Sequence, residues 1–105
     1  MMAGREIGRG ERFDPPTQEE TYLDLGQYGK HPHDGHWYAR VPRNNQFDES
    51  LFCNLSNHDV TENADGTITV SPSILITSRR WVKERNEYEP VRWHGYLHEG
   101  VWYED

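Results

Sequence analysis

Cysteine is almost missing from this 105-residue chain, where Cys53 stands alone. One thiol forms no intrachain disulfide and builds no thiolate metal cluster, and a reducing compartment suits it best. Long hydrophobic runs are missing as well. No stretch approaches the roughly 18 apolar residues of a membrane-spanning helix, and the first residues show no basic segment followed by an apolar one. The expectation is a cytoplasmic protein with no membrane partner.

Positive charge is scarce: 11 Lys and Arg face 18 Asp and Glu, a net charge of −7. Phosphate-backbone binding rests on cations that neutralise phosphates, so direct nucleic-acid binding is not expected. The acidity suits solubility, a basic protein partner, or mimicry of nucleic acid. Catalytic motifs are missing too. There is no G-x-S-x-G elbow, no H-E-x-x-H and no P-loop. Cys53 lies in an apolar run and reads as a small buried hydrophobe. Ser71 and Ser73 flank Pro72 at an expected turn, where serine commonly bonds its own backbone. No catalytic residue is assigned and no enzyme is expected.

What the chain does have is aromatic residues: four Trp, six Tyr and three Phe within a hydrophobic share of only 33%. Large rings bury much area each, so few of them build a small core. Residues 65–76, DGTITVSPSILI, form the organising stretch. Asp65-Gly66 is a tight-turn signal, because Gly accepts positive φ. Thr67 to Val70 and Ile74 to Thr77 are β-favouring, and a turn is expected at Ser71-Pro72-Ser73, with Pro72 marking a break, bulge or edge.

Upstream, residues 1–35 read as an N-terminal arm, extended or partly disordered, with Thr17, Glu20, Tyr22 and Leu25 offering one or two helical turns. Residues 36–105 read as a single small β domain. Its strands are expected at residues 36–41, 51–55 and 58–62, in the central stretch, and in a terminal hairpin turning at His98-Glu99-Gly100. Residues 78–85 read as a strand end or a short helix, and residues 87–90 as a loop. The fold class is mainly β: a small twisted antiparallel sheet or half-closed barrel of about five or six strands, with at most one short helix. The expected core is Trp37, Val41, Leu55, Val60, Ile68, Val70, Ile74, Ile76, Trp93, Leu97 and Trp102.

Strand alternation sorts the last stretch into two faces. Trp93, Gly95 and Leu97 share the core side, with Gly95 leaving room for a ring or a bulge. His94, Tyr96 and His98 share the other side. With Trp81 and Arg92 they form a candidate binding face, since Trp, Tyr and Arg dominate hot spots. His31, His33 and His36, with His94 as a fourth member, form the alternative reading, an imidazole site for zinc.

The stretch DGTITVSPSILI followed by WHGYLHEGVW resembles a group of small phage and actinobacterial proteins of unknown function. The resemblance spans residues 37–102 and implies a phage or prophage origin without supplying an activity. A more distant likeness is to bacterial domains with a similar P-S-I segment and a C-terminal H-x-x-x-x-G-x-W element, some with zinc-type cysteines, which this chain lacks. The leading functional expectation is a non-catalytic protein-interaction module, a phage accessory protein binding a host or phage protein and needing no cofactor. The alternatives are the zinc-binding domain and an acidic nucleic-acid mimic that inhibits a DNA-binding host or defence enzyme.

Overall fold

In the computed structural model, described over residues 4–14, 23–32, 34–43 and 51–105, the chain is all-β with no helix among the described residues. Nine strands follow in order: β1 (Arg5–Arg9), β2 (Glu11–Arg12), β3 (Gln27–Lys30), β4 (Trp37–Arg40), β5 (Phe52–Asn54), β6 (Asp59–Glu62), β7 (Ile68–Val82), β8 (Glu87–His98) and β9 (Val101–Glu104). They make a five-stranded sheet in the order β1-β9-β8-β7-β6 and a four-stranded sheet in the order β2-β3-β4-β5. The first is antiparallel throughout, the second is parallel only between β2 and β3, and neither closes into a barrel. The β class holds, while the single sheet of five or six strands becomes two sheets that share nine strands among the described residues. The extra strands come largely from residues 5–30, which supply β1 to β3. Most of the helical turn expected around Thr17 lies outside the described residues.

Turn chemistry sets the hairpins. Gly66 at φ +89° turns β6 into β7, and Glu99 and Gly100, both at positive φ, turn β8 into β9. Asn86 at φ +51° closes the turn between β7 and β8, and Asn tolerates that region better than most residues. Val82 therefore pairs with Glu87 and Arg79 with Pro90, so residues 87–90 are strand where a loop was expected. Pro90 fits because β9 pairs β8 only over Gly95 to His98, leaving this edge free.

The turn expected at Ser71-Pro72-Ser73 is instead a bulge inside one fifteen-residue strand. Val70 faces Leu97 and Ile74 faces Gly95, so four steps on β7 match two on β8. Pro72 has no N–H to give the ladder, and pairing of Asp59 with Ser71 keeps the chain extended.

Both sheets bury one core. Tyr28, Ala39, Val41 and Leu55 meet Ile68, Val70, Ile74, Val91, Trp93, Leu97 and Trp102, with Trp37, Val60 and Ile76 packed on its margin. Two indole N–H groups cross between the sheets, Trp93 Nε1 donating to Pro42 O at 3.0 Å and Trp102 Nε1 to Gly26 O at 2.9 Å. The two rings meet edge to face at 5.7 Å, a favoured aromatic geometry. Above the core, β7 and β8 run on as a two-stranded ribbon. At roughly 3.3 Å per residue β7 reaches somewhat under 50 Å, on the order of the molecule's longest dimension of 47 Å.

Candidate functional site

On β8, Val91, Trp93, Gly95 and Leu97 are buried, while Arg92, His94, Tyr96 and His98 face outward. The register with β7 sets Leu75 opposite His94, Thr77 opposite Arg92, Arg79 opposite Pro90 and Trp81 opposite Tyr88. The five residues expected to bind, Trp81, Arg92, His94, Tyr96 and His98, thus lie on one outer face of the five-stranded sheet, spread along its length in two parts.

The upper part is the ribbon tip. Trp81 is 50% exposed and Tyr88 60% exposed, yet they are ordered against each other, edge to face at 5.0 Å. The Arg79 guanidinium covers the Tyr88 ring at 5.2 Å, a cation–π contact. On the opposite side of the ribbon, Arg80 donates to Glu89 at 2.5 Å, and Arg85 to Glu87 at 2.7 Å and to Glu89 at 2.8 Å. Hydrogen bonds from Arg85 and then Arg80 hold the Glu89 carboxyl below its ordinary range. Arg80, Arg85 and Glu89, with Trp81, Val82 and Glu84, line an open cleft of about 360 Å³. Arg79 and Arg92 have no ion-pair partner among the described residues.

The lower part lies at the bulge. His94 Nδ1 sits 2.8 Å from Asp105 Oδ2, and its Nε2 sits 2.9 Å from Ser73 Oγ. A carboxylate only accepts, so in the neutral ring Nδ1 carries the proton and Nε2 accepts from the Ser73 hydroxyl. His58 Nε2 donates to the Ser73 carbonyl at 3.1 Å, and its buried Nδ1 has no partner among the described residues. Tyr96 lies beside His94, ring centroids 5.9 Å apart. His98 is set apart at the hairpin end, 3.6 Å from Glu99.

Of the histidines of the zinc reading, His31 and His36 both lie near Asp34, while His94 lies elsewhere. His31 is buried beside β3 and His36 is exposed before β4, each 3.9 Å from Asp34. His94 belongs to the other sheet, and His33 lies outside the described residues. Among the described residues no group of three or more His, Cys, Asp or Glu side chains is placed to hold a metal ion. Asp34 is spoken for in another way, accepting the Tyr38 hydroxyl at 2.6 Å and the His36 N–H at 2.8 Å, which together hold its carboxyl below the ordinary value.

Sequence reasoning found the outer face through alternation but missed Ser73 and Asp105. Ser73 stood in a supposed turn, and Asp105 lies eleven residues beyond His94 with no motif linking the two. Only the bulge and the β8–β9 pairing bring all three together. Comparison with family models, with curated proteins and with solved structures finds no match to this chain.

Proposed function

We propose that this protein is an interaction module that captures an acidic, extended segment of a partner protein on the outer face of its ribbon. The observation that carries this reading is the Trp81–Tyr88 pair, half or more exposed, ordered ring on ring and covered by Arg79. Exposed aromatic residues beside arginine are the usual makings of a binding hot spot. Among the described residues Arg79 and Arg92 are left without ion pairs in an otherwise acidic chain, which favours an acidic partner on this face over a basic one. The backbone contributes as well. Outside the paired stretches, the edges of β7 and β8 present unpaired N–H and C=O groups, which an extended peptide satisfies by adding a strand. The partner class carried over from the sequence is a host or phage protein met in the cytoplasm; what the surface adds is a preference for an acidic, extended segment.

A panel of extended synthetic peptides tests the reading, with acidic and basic versions of each sequence. Acidic members should alter Trp81 fluorescence and weaken as salt rises. Trp81→Ala with Tyr88→Ala, and separately Arg79→Glu with Arg92→Glu, should lose that binding without lowering the melting temperature. Equal binding of acidic and basic versions, or no acidic peptide bound at all, would overturn it.

A further inference from the structure

Beyond docking, we infer that Ser73 is an activated nucleophile, with His94 as its general base and Asp105 as the residue that orients His94, able to transfer acyl groups from small carboxylic esters. The inference stands on the geometry at the bulge and does not rest on the docking reading.

Three features support it. The two hydrogen bonds run in series, Ser73 Oγ to His94 Nε2 at 2.9 Å and His94 Nδ1 to Asp105 Oδ2 at 2.8 Å. That is the hydrogen-bond reach required of nucleophile with base and of base with orienter. The Asp105 carboxylate also leaves only one neutral tautomer, the one whose free lone pair points at the serine hydroxyl. The second feature is backbone. Ser73 lies in the interval between Val70 and Ile74 where β7 leaves its register with β8, and its carbonyl is tied down by His58. The side chain is thus held at a break in the ladder, half-buried and not sealed in the core. The third is surroundings. Leu75, 51% exposed, and Tyr96 flank His94 and offer an apolar ledge for a short acyl chain. The face is open, which suits esters with good leaving alcohols and not amides, whose poorer leaving groups need more stabilisation.

The chemistry closes on groups already present and on water. Ser73 Oγ bonds to the ester carbonyl carbon as its proton passes to His94 Nε2. The C–O bond to the alcohol breaks, and the alcohol leaves with that proton. Water then attacks the acyl-serine, gives its proton to His94 Nε2, and the carboxylic acid departs as the proton returns to Ser73 Oγ.

A fluorophosphonate probe reports the first half of this reaction directly, since Oγ–P forms, P–F breaks and fluoride leaves. Intact protein should gain one adduct, mapped by peptide mass spectrometry to Ser73. Ser73→Ala should abolish it, and His94→Ala should slow it by about 100-fold or more, with both variants still showing the parent's far-UV spectrum. A structural serine would give no adduct, so labelling separates the two roles. Should Ser73→Ala or His94→Ala fail to fold, Ser73→Cys supplies a second measurement. Its new thiol should react with iodoacetamide well ahead of Cys53, and Asp105→Asn in the same chain should slow it. Folded parent left unlabelled by excess probe, or an introduced thiol indifferent to Asp105→Asn, would overturn the inference.

Discussion

Glu99 holds φ +47° and Gly100 φ +77° in the two-residue turn between β8 and β9, the backbone that Asn-Gly adopts most readily. A left-handed conformation costs an ordinary L-residue about 1–2 kcal/mol and costs Asn less. Glu99→Asn should therefore raise stability by up to about 1 kcal/mol in urea melts. Gly100→Val should lower it by at least about 2 kcal/mol, because a Cβ there would also lie 2.8 Å from Thr67 Cγ2 and 3.0 Å from the Tyr28 hydroxyl. The positive φ of Gly100 was legible in the sequence, since the turn demanded it. The neighbours that crowd it were not, because Tyr28 comes from the other sheet. Gly95 was equally legible: a Cβ at that position would meet Trp93 Cη2 at 2.7 Å, the ring for which alternation left room. Cys53 offers a chemical check. Burial pushes its thiol from the ordinary 9.0 up to about 12, so at pH 8 the native protein should resist a thiol reagent that the unfolded chain consumes at once. The same shift leaves stability untouched below about pH 9. Stability is lost as pH rises toward 12, because there the unfolded chain ionises while the folded thiol stays neutral.

At the scale of elements, the ribbon is separable from the body. The last buried ribbon side chain is Val91, which pairs with Ser78. Beyond it the side-chain contacts are the exposed aromatic pair, the Arg79 guanidinium on the Tyr88 ring, and the Arg80, Arg85, Glu87 and Glu89 ion pairs. Exposed ion pairs contribute about 0–1 kcal/mol each, and the aromatic and cation–π contacts about 0.5–1.5 kcal/mol each. Replacing residues 79–90 by Asn-Gly joins Ser78 to Val91 through a favoured hairpin turn. The shortened protein should keep a β-type far-UV spectrum and lose no more than about 3 kcal/mol of stability, yet lose all binding to acidic peptides. A large drop in melting temperature would show that the tip braces the fold. This element was only half legible. The strands on either side of the tip were visible as β-favouring runs, but Glu87, Glu89 and Pro90 read as loop because their composition is that of a loop. Cross-strand pairing overrides composition here. The bulge was misread for a related reason, since a proline between two serines has the same composition in a turn as in an irregular strand.

For the whole molecule, the question is whether two sheets amount to one cooperative unit. Eight residues of the expected core are buried as read, from Val41 and Leu55 through Ile68 and Val70 to Trp93 and Trp102. What escaped the reading is how the second sheet is fastened. Tyr28 and Leu23, both about 1% exposed, come from residues whose sparse apolar content gave no periodic signal. The hydrogen bonds that fasten the two sheets join residues distant in sequence: Gly10 N–H to Gly100 O at 2.6 Å and the Trp102 indole to Gly26 O at 2.9 Å. The Trp102 bond satisfies the carbonyl of buried Gly26, and an orphaned buried carbonyl costs about 1–3 kcal/mol. Trp102→Phe removes that donor and some ring volume, so it should lower stability by at least that amount. Trp93→Phe loses buried ring volume and frees the part-buried Pro42 O, so it should lower stability as well. If the sheets share one core, each variant should shift the whole transition together, with far-UV ellipticity and the fluorescence of the remaining tryptophans tracing one urea curve at one midpoint. Were the indole bonds local to one sheet, Trp102→Phe would split the transition, the strands around β3 melting first while the β7–β8 hairpin persisted. Coincident curves in both variants would establish that the tryptophan pair couples the two sheets.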